Sequence, residues 1–144
     1  RFIDTIKNSK AARTTFSTLT TKGDMIGVVE FCFSGQKFKI RIESENCCIG
    51  FSLIGIKIPM PDANQPEITK ISDLAKEEAK KRLHQRDVMF NVKYIDKRGT
   101  FLGNLWTYDT QSKSKGQNYA KTVLKLGFGT IQDHNSDKCD EFGE

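Results

Sequence analysis

The feature that most restricts how this chain folds is an alternation of polar and apolar residues in its second quarter. Cations and apolar side chains alternate without a break in the order Lys37, Phe38, Lys39, Ile40, Arg41 and Ile42. Because successive side chains of a strand point to opposite faces, the pattern predicts a strand with an apolar inner face and a basic outer face. In the partner strand, Val29, Phe31 and Phe33 are expected to share one face. Residues 34–36 are expected to form the hairpin turn between the two strands.

The rest of the residue pattern predicts three more strands and two or three helices. The expected elements are a strand at 47–58, a proline loop at 59–66, a helix at 72–85, strands at 88–95 and 100–108, a polar loop at 110–117 and a helix from Tyr119 to Leu126. Five strands with a helix after the third have the order of an OB-type Greek-key barrel. The predicted fold class is therefore α+β, mainly β, with a five-stranded OB-fold barrel.

The chain of 144 residues has the length of one domain. We expect a lead-in at 1–24, the barrel at 25–131 and an acidic, frayed end at 132–144. The lead-in suits either a short helix or an extended arm, because its many Thr residues weaken a helix. The chain begins without Met, and we expect it to be a piece of a longer protein.

The charge distribution suits a polyanionic partner. The net charge is +5, but residues 132–144 carry −4, which leaves +9 on the remaining residues. A basic body of this kind favours binding to nucleic acid, although solubility alone would also explain it.

The cysteines indicate a reducing compartment. Cys32, Cys47, Cys48 and Cys139 form no Cys-x-x-Cys pair, and the chain has only two His residues. We therefore expect small buried hydrophobic thiols, no metal and an intracellular protein of the cytoplasm or the nucleus. No run approaches the roughly 20 apolar residues of a membrane span, so no membrane partner is expected.

Three segments carry a resemblance to a known family: VVEFCFSG at 28–35, CIGFSLIGIKIP at 48–59 and DKRGTFLG at 96–103. In order and spacing they are similar to staphylococcal nuclease-like domains, and most similar to the last complete nuclease-like repeat of Tudor-SN proteins. The resemblance covers residues 8–131. It implies an OB-barrel phosphodiesterase fold, neighbouring nuclease-like repeats and a Tudor domain in the same chain. It also implies a role in RNA-processing complexes such as RISC or in transcriptional coactivator complexes.

In active members, the resemblance implies, two Asp, a Thr and a Glu surround a calcium ion, and two Arg stabilise the phosphate. This chain differs at all of those positions, where it has Gln36 and Lys57 for the Asp, Ile58 for the Thr, Met60 for the Glu, and Ser52 and Thr100 for the Arg. We therefore expect no catalytic residues, no metal, no other cofactor and no nuclease activity in this domain.

The leading functional hypothesis is a non-catalytic module that binds RNA, single- or double-stranded. Its candidate binding residues are Lys37, Lys39, Arg41, Lys57, Lys97 and Arg98, for which a solvated surface is the alternative. Phe51, Trp106 and Tyr108 are candidates for base stacking, with core packing as the alternative. A protein-interaction scaffold without RNA binding is the second hypothesis, and a calcium-dependent nuclease is the third.

Overall fold

The computed structural model describes residues 3–6 and 8–131. In chain order its elements are β1 (Ile3–Asp4), α1 (Ser9–Thr20), β2 (Met25–Cys32), β3 (Lys37–Ile42), a 3-10 turn (Glu43–Glu45), β4 (Cys47–Leu53), β5 (Ile56–Lys57), α2 (Pro66–Leu83), β6 (Asp87–Phe90), β7 (Tyr94–Ile95), β8 (Phe101–Gly103), β9 (Leu105–Asp109), β10 (Ser114–Asn118), α3 (Tyr119–Lys125) and β11 (Thr130–Ile131). The predicted acidic end at 132–144 lies outside the described residues. None of the described helices is long and apolar enough to cross a membrane.

Five strand segments close into a barrel. Strands β2, β3 and β4 form an antiparallel meander, and β2 also pairs with β6. The closing segment is 101–109, in which β8 and β9 are separated only by Asn104. Its first half pairs in parallel with β4, and its second half pairs antiparallel with β6. Because one continuous segment joins both ends of the sheet, the predicted five-stranded OB-type barrel is confirmed.

The barrel interior is filled by aromatic and branched aliphatic side chains. Phe38, Phe51, Phe90 and Phe101 are fully buried. The Phe51 and Phe90 rings meet edge to face with their centroids 5.6 Å apart, a favourable arrangement for two aromatic rings. This packing fixes which face of each strand points inward, and therefore which side chains remain outside.

Helix α2 covers the end of the barrel next to the first hairpin turn. It begins at Pro66, six residues earlier than expected, because Pro is well tolerated in the first turn of a helix. Ala75, Ala79 and Leu83 are buried as predicted, whereas Leu74 is exposed on the other side of the helix. A side chain at Gly35 would come within 2.6 Å of the Ala75 Cβ, so the turn packs directly on the helix.

Three further expectations about the strands are wrong. The strand expected at 47–58 is interrupted after Leu53, where Gly55 adopts a left-handed φ of 88°. The strand expected at 88–95 is split into β6 and β7. The expected loop at 110–117 contains most of β10, an exposed edge strand that pairs with β9. An edge strand whose side chains are mostly exposed needs no apolar face, so it leaves no hydrophobic period in the sequence.

The described cysteines behave as small core residues. Cys32, Cys47 and Cys48 are buried free thiols. Burial raises the pKa of each of the three thiols to about 11, because the thiolate loses its hydration inside the protein. The three side chains are therefore neutral and weakly nucleophilic at physiological pH.

The close approach of β8 to the bend after β6 leads to a first prediction. A Cβ at Gly103 would overlap the backbone carbonyl of Asn91, and backbone cannot move aside as a flexible side chain does. We expect Gly103→Ala to lower the free energy of unfolding by about 1–3 kcal/mol or more, measured by urea denaturation.

Gly50→Ala in the neighbouring strand is the matched control. The nearest atom to its added Cβ would be the Ile6 Cγ1 at 3.7 Å, an ordinary contact distance. The control should unfold within about 1 kcal/mol of the unchanged chain. Equal stability of both variants would contradict this account of the barrel closure.

Candidate nucleic-acid interface

Strand β3 presents its cations on the outside of the barrel, as the alternation predicts. Phe38, Ile40 and Ile42 are fully buried, and the three cations between them lie on the opposite face. The basic outer face of the first hairpin is therefore confirmed as a structural feature. Its role in binding nucleic acid stays a prediction.

The three cations differ in their electrostatic environment. Glu30 on β2 lies between two of them, with ion pairs of 3.8 Å to the Lys39 Nζ and 3.3 Å to the Arg41 Nε. Arg41 also lies 3.7 Å from a Glu43 carboxylate oxygen. Within the described part of the chain, Lys37 has no carboxylate partner. Surface ion pairs of this kind contribute about 0–1 kcal/mol, so Lys39 and Arg41 remain open to exchange with a phosphate.

The structure corrects the expected orientation of two aromatic residues. Val29 points inward, but Phe31 and Phe33 are 46% and 40% exposed, so the three do not share one buried face. The register of β2 against β3 shifts between Val29 and Phe31. A bulge of this kind inserts one residue and turns the following side chains to the other face. Sequence periodicity missed both rings because it assumes an uninterrupted strand.

The Gln36 side chain ties the first hairpin turn to the segment that follows β4. Its Nε2 donates to the carbonyl of Ile56 at 3.0 Å and more weakly to that of Leu53 at 3.5 Å. Its Oε1 accepts from the backbone N–H of Ile58 at 2.9 Å. A side-chain amide makes both kinds of bond, whereas an ionised carboxylate at this position could accept but not donate. This set of contacts is called the Gln36 clamp below.

The clamp brings together three of the six positions to which the resemblance assigns catalytic roles. Gln36, Ile58 and Met60 line one hollow of about 210 Å³. Lys57 is exposed on β5, where it pairs with Thr130. Ser52 pairs with Lys37 in the barrel wall, outside this hollow.

Thr100 lies apart from that hollow. It is buried beside the turn at 96–99, where its backbone N–H donates to the Asp96 carboxylate at 2.9 Å.

The resemblance implies a calcium ion among these positions, and the residues present do not fit one. Calcium takes hard oxygen ligands, mainly carboxylates. Here the amide oxygen of Gln36 already accepts a hydrogen bond, Lys57 brings a positive charge, and Ile58 and Met60 are apolar. Among residues 3–6 and 8–131, no three His, Cys, Asp or Glu side chains are grouped so that they could hold a metal ion.

The remaining predicted cations are not gathered into one patch. Lys57 lies near the Gln36 clamp, past the Leu53 end of β4. Lys97 and Arg98 are exposed in the turn at 96–99, which the parallel pairing of β4 with β8 places toward the Cys47 end of β4. The Lys97 carbonyl accepts from the Arg13 guanidinium at 3.2 Å, which links this turn to α1.

The three aromatic residues predicted to stack bases have different surroundings. Phe51 is fully buried, so the alternative of core packing is correct for it. Trp106 and Tyr108 are half-buried on β9. The Lys115 Nζ lies 4.2 Å from the Trp106 ring centroid, a cation–π contact that covers one face of the indole.

Comparison with known proteins places the chain among nuclease-like sequences. The model of a family described as "Staphylococcal nuclease homologue" matches residues 50–144. In Arabidopsis thaliana, Ribonuclease TUDOR 2 is 30% identical over 128 residues and Ribonuclease TUDOR 1 is 31% identical over 128 residues, covering 89% of this chain in each case. Staphylococcal nuclease domain-containing protein 1 of Schizosaccharomyces pombe is 27% identical over 137 residues, or 93% of this chain. The chain spans only 12–15% of the length of these relatives.

The hydrogen bonds of the Gln36 clamp predict that the Gln36 side chain stabilises the folded domain. Gln36→Ala removes the donor to the Ile56 carbonyl and the acceptor for the Ile58 N–H, and so leaves these partly buried backbone groups unpaired. We expect the free energy of unfolding to fall by about 1–3 kcal/mol in urea denaturation.

Gln65→Ala is the control, because the Gln65 side chain makes one exposed hydrogen bond, to Asp62. It should change stability by no more than about 0.5 kcal/mol. If Gln36→Ala were as stable as this control, the clamp would have no structural importance.

Proposed function

The chain belongs to the family of staphylococcal nuclease homologues, and on that premise we propose that this domain binds RNA without cleaving it. The proposal has two parts, the absence of catalysis and the presence of binding. The observation that carries both is the first hairpin, which directs cations outward from β3 and fills its turn with the Gln36 clamp.

The absence of catalysis rests on the chemistry of the six aligned positions. None of them supplies a carboxylate or a guanidinium, and Gln36 uses its amide to hold the backbone at β5. Removing a single preorganised charge-stabilising group from an active site costs about 10²–10³ in rate. Replacing the metal ligands and both Arg together leaves no carboxylate at these positions to activate water and no guanidinium to stabilise the phosphate in the transition state.

The binding of RNA rests on the charge and shape of the outer face. The face between the second and third strands of an OB barrel is a common site for oligonucleotides. In this barrel the second strand is β3, which carries the three outward cations. Phosphate contacts from Lys and Arg supply most of the affinity in binding that is not sequence-specific. The net charge of +5 adds a long-range attraction for the same ligand.

We extend the proposal to the longer protein only by analogy with the relatives, since the chain spans a small part of each. In such a protein this domain would lie beside other nuclease-like repeats and a Tudor domain and would support assembly of RNA-processing or transcriptional coactivator complexes. The proposed setting is the reducing interior of the cell, in the cytoplasm or the nucleus, where free thiols persist.

A protein-interaction scaffold is the second candidate, because two large apolar side chains are exposed near the clamp. Met60 is 74% exposed and Leu74 is 46% exposed. They line neighbouring hollows that share Asp73. A neighbouring domain packed there would bury both side chains, and this function needs no RNA.

Fluorescence anisotropy of a labelled single-stranded RNA tests the proposal directly. The chain is titrated at two salt concentrations with calcium present, and affinity should fall with salt by a slope of about −0.7 per phosphate contact. Lys37→Glu should weaken binding and make the slope shallower by about 0.7. Lys121→Glu, an exposed substitution in the first turn of α3, is the control of equal charge change and should change the slope less.

The other outcomes are equally informative. Flat anisotropy at low salt would reject RNA binding and leave the scaffold. An anisotropy that decays with time in the presence of calcium, because the RNA is being cut, would show that catalysis survives. The aligned positions would then not be the active site.

A further inference from the structure

Phe31 and Phe33 form an exposed aromatic pair on the outside of the first hairpin. Their rings meet edge to face with centroids 5.1 Å apart and an interplanar angle of 70°. Both side chains remain about half exposed in spite of this contact. Each aromatic ring left in water forgoes part of the free energy that its burial would give, so a pair of this size needs an explanation.

Each ring of the pair has a lysine opposite it on β3. Phe31 is in register with Lys39, and the Phe33 backbone N–H donates to the Lys37 carbonyl at 2.9 Å. The Lys37 Nζ lies 5.8 Å from the Phe33 ring centroid. These four residues, Phe31, Phe33, Lys37 and Lys39, are called the Phe–Lys face. It alternates ring and cation across two strands, which is the composition of a surface that binds single-stranded nucleic acid.

The charges around the pair indicate which kind of ligand fits. A hollow of about 490 Å³ lies against both rings and is lined also by Glu30 and Asp4. Glu30 is held by Lys39 and Arg41, and the Asp4 Oδ1 accepts from the Ile6 N–H at 3.0 Å. These carboxylates disfavour phosphate inside the hollow but tolerate an uncharged base. Lys37, which lacks a carboxylate partner among the described residues, is placed for the phosphate beside it.

A protein partner fits this face less well. The centres of protein–protein interfaces are depleted in Lys, Glu and Asp. Here two lysines and two carboxylates surround the rings, and burying them under a protein would require each charge to be paired or desolvated at a cost. A nucleic-acid strand covers the rings with bases and leaves the charges in water.

We propose that the Phe–Lys face binds single-stranded RNA by stacking bases on Phe31 and Phe33 while Lys37 contacts the backbone phosphate. The proposal rests on the proposed RNA-binding function and names its site and the strandedness of its ligand. Duplex RNA is excluded from this face because its bases stack on one another and present no free ring surface.

The test uses the 144-residue chain with labelled oligouridine as the single strand and a labelled blunt RNA duplex as the comparison. In the Phe31→Leu/Phe33→Leu variant the face keeps its apolar character but loses its aromatic rings. We expect its affinity for oligouridine to fall at least about 10-fold, with the salt slope unchanged, because stacking is lost and the phosphate contacts remain. Leu74→Ala, which alters an equally exposed apolar side chain on α2, should bind like the unchanged chain.

Three results would overturn the proposal in distinguishable ways. If the unchanged chain binds oligouridine and the double variant binds equally well, the RNA-binding function stands and this face is not its site. If the double variant loses duplex binding as much as single-strand binding, the rings do not stack bases. If the unchanged chain binds neither RNA, the proposed function itself fails. Circular dichroism of each variant confirms that the substitutions leave the barrel folded.

Discussion

The barrel depends on one continuous segment that hydrogen-bonds to two different strands. Residues 101–109 pair in parallel with β4 and then antiparallel with β6, and without this double pairing the sheet would have open edges. The switch is made at Asn104, whose backbone N–H donates to the Asn91 side chain at 3.2 Å. Gly103 allows the two backbones to approach closely there. Closure fixes the inward face of every strand, and so it also determines that the cations of β3 and the rings after the β2 bulge lie outside.

The first hairpin combines two regions with different chemistry. At the turn, the Gln36 amide satisfies backbone groups in and just after β5, and Ile58, Pro59 and Met60 are among the residues that line the surrounding hollow. On the strands leading from the turn, the face remains charged and aromatic. The two regions are adjacent in sequence but make different contacts, so the proposed absence of metal ligands at the turn is compatible with the proposed RNA-binding surface on the strands.

Periodicity in the sequence was sufficient for the strands whose two faces differ. The cations of β3 alternate with buried residues as expected, and the order of strands and helices predicts the barrel. Periodicity failed where side chains do not alternate between buried and exposed. Strand β10 is an example, because its residues are mostly exposed and it pairs with β9 through the backbone. The start of α2 was missed because Pro66 suits both a loop and a first helical turn.

The candidate site was predictable only in part for related reasons. The cations of β3 are marked by alternation, but their ion pairs with Glu30 depend on the bulge in β2. The same bulge exposes Phe31 and Phe33, and one inserted residue cannot be told from a continuous strand by composition. The hydrogen bonds of Gln36 depend on the path of the chain after Gly55, which no local pattern specifies. In the sequence, Lys57 and the cations of the turn at 96–99 are equally good candidates for one basic patch. The parallel register of β4 with β8 shows that they lie toward opposite ends of β4.

A residue-by-residue map of amide chemical shifts during titration with oligouridine tests the central claim most directly. The account predicts that the largest shifts on binding lie between Phe31 and Lys39, with little change at Met60 or in the turn at 96–99. Shifts concentrated instead at Ile58 and Met60, with little change at Phe31 and Lys39, would place the RNA in the hollow beside the Gln36 clamp and contradict the account.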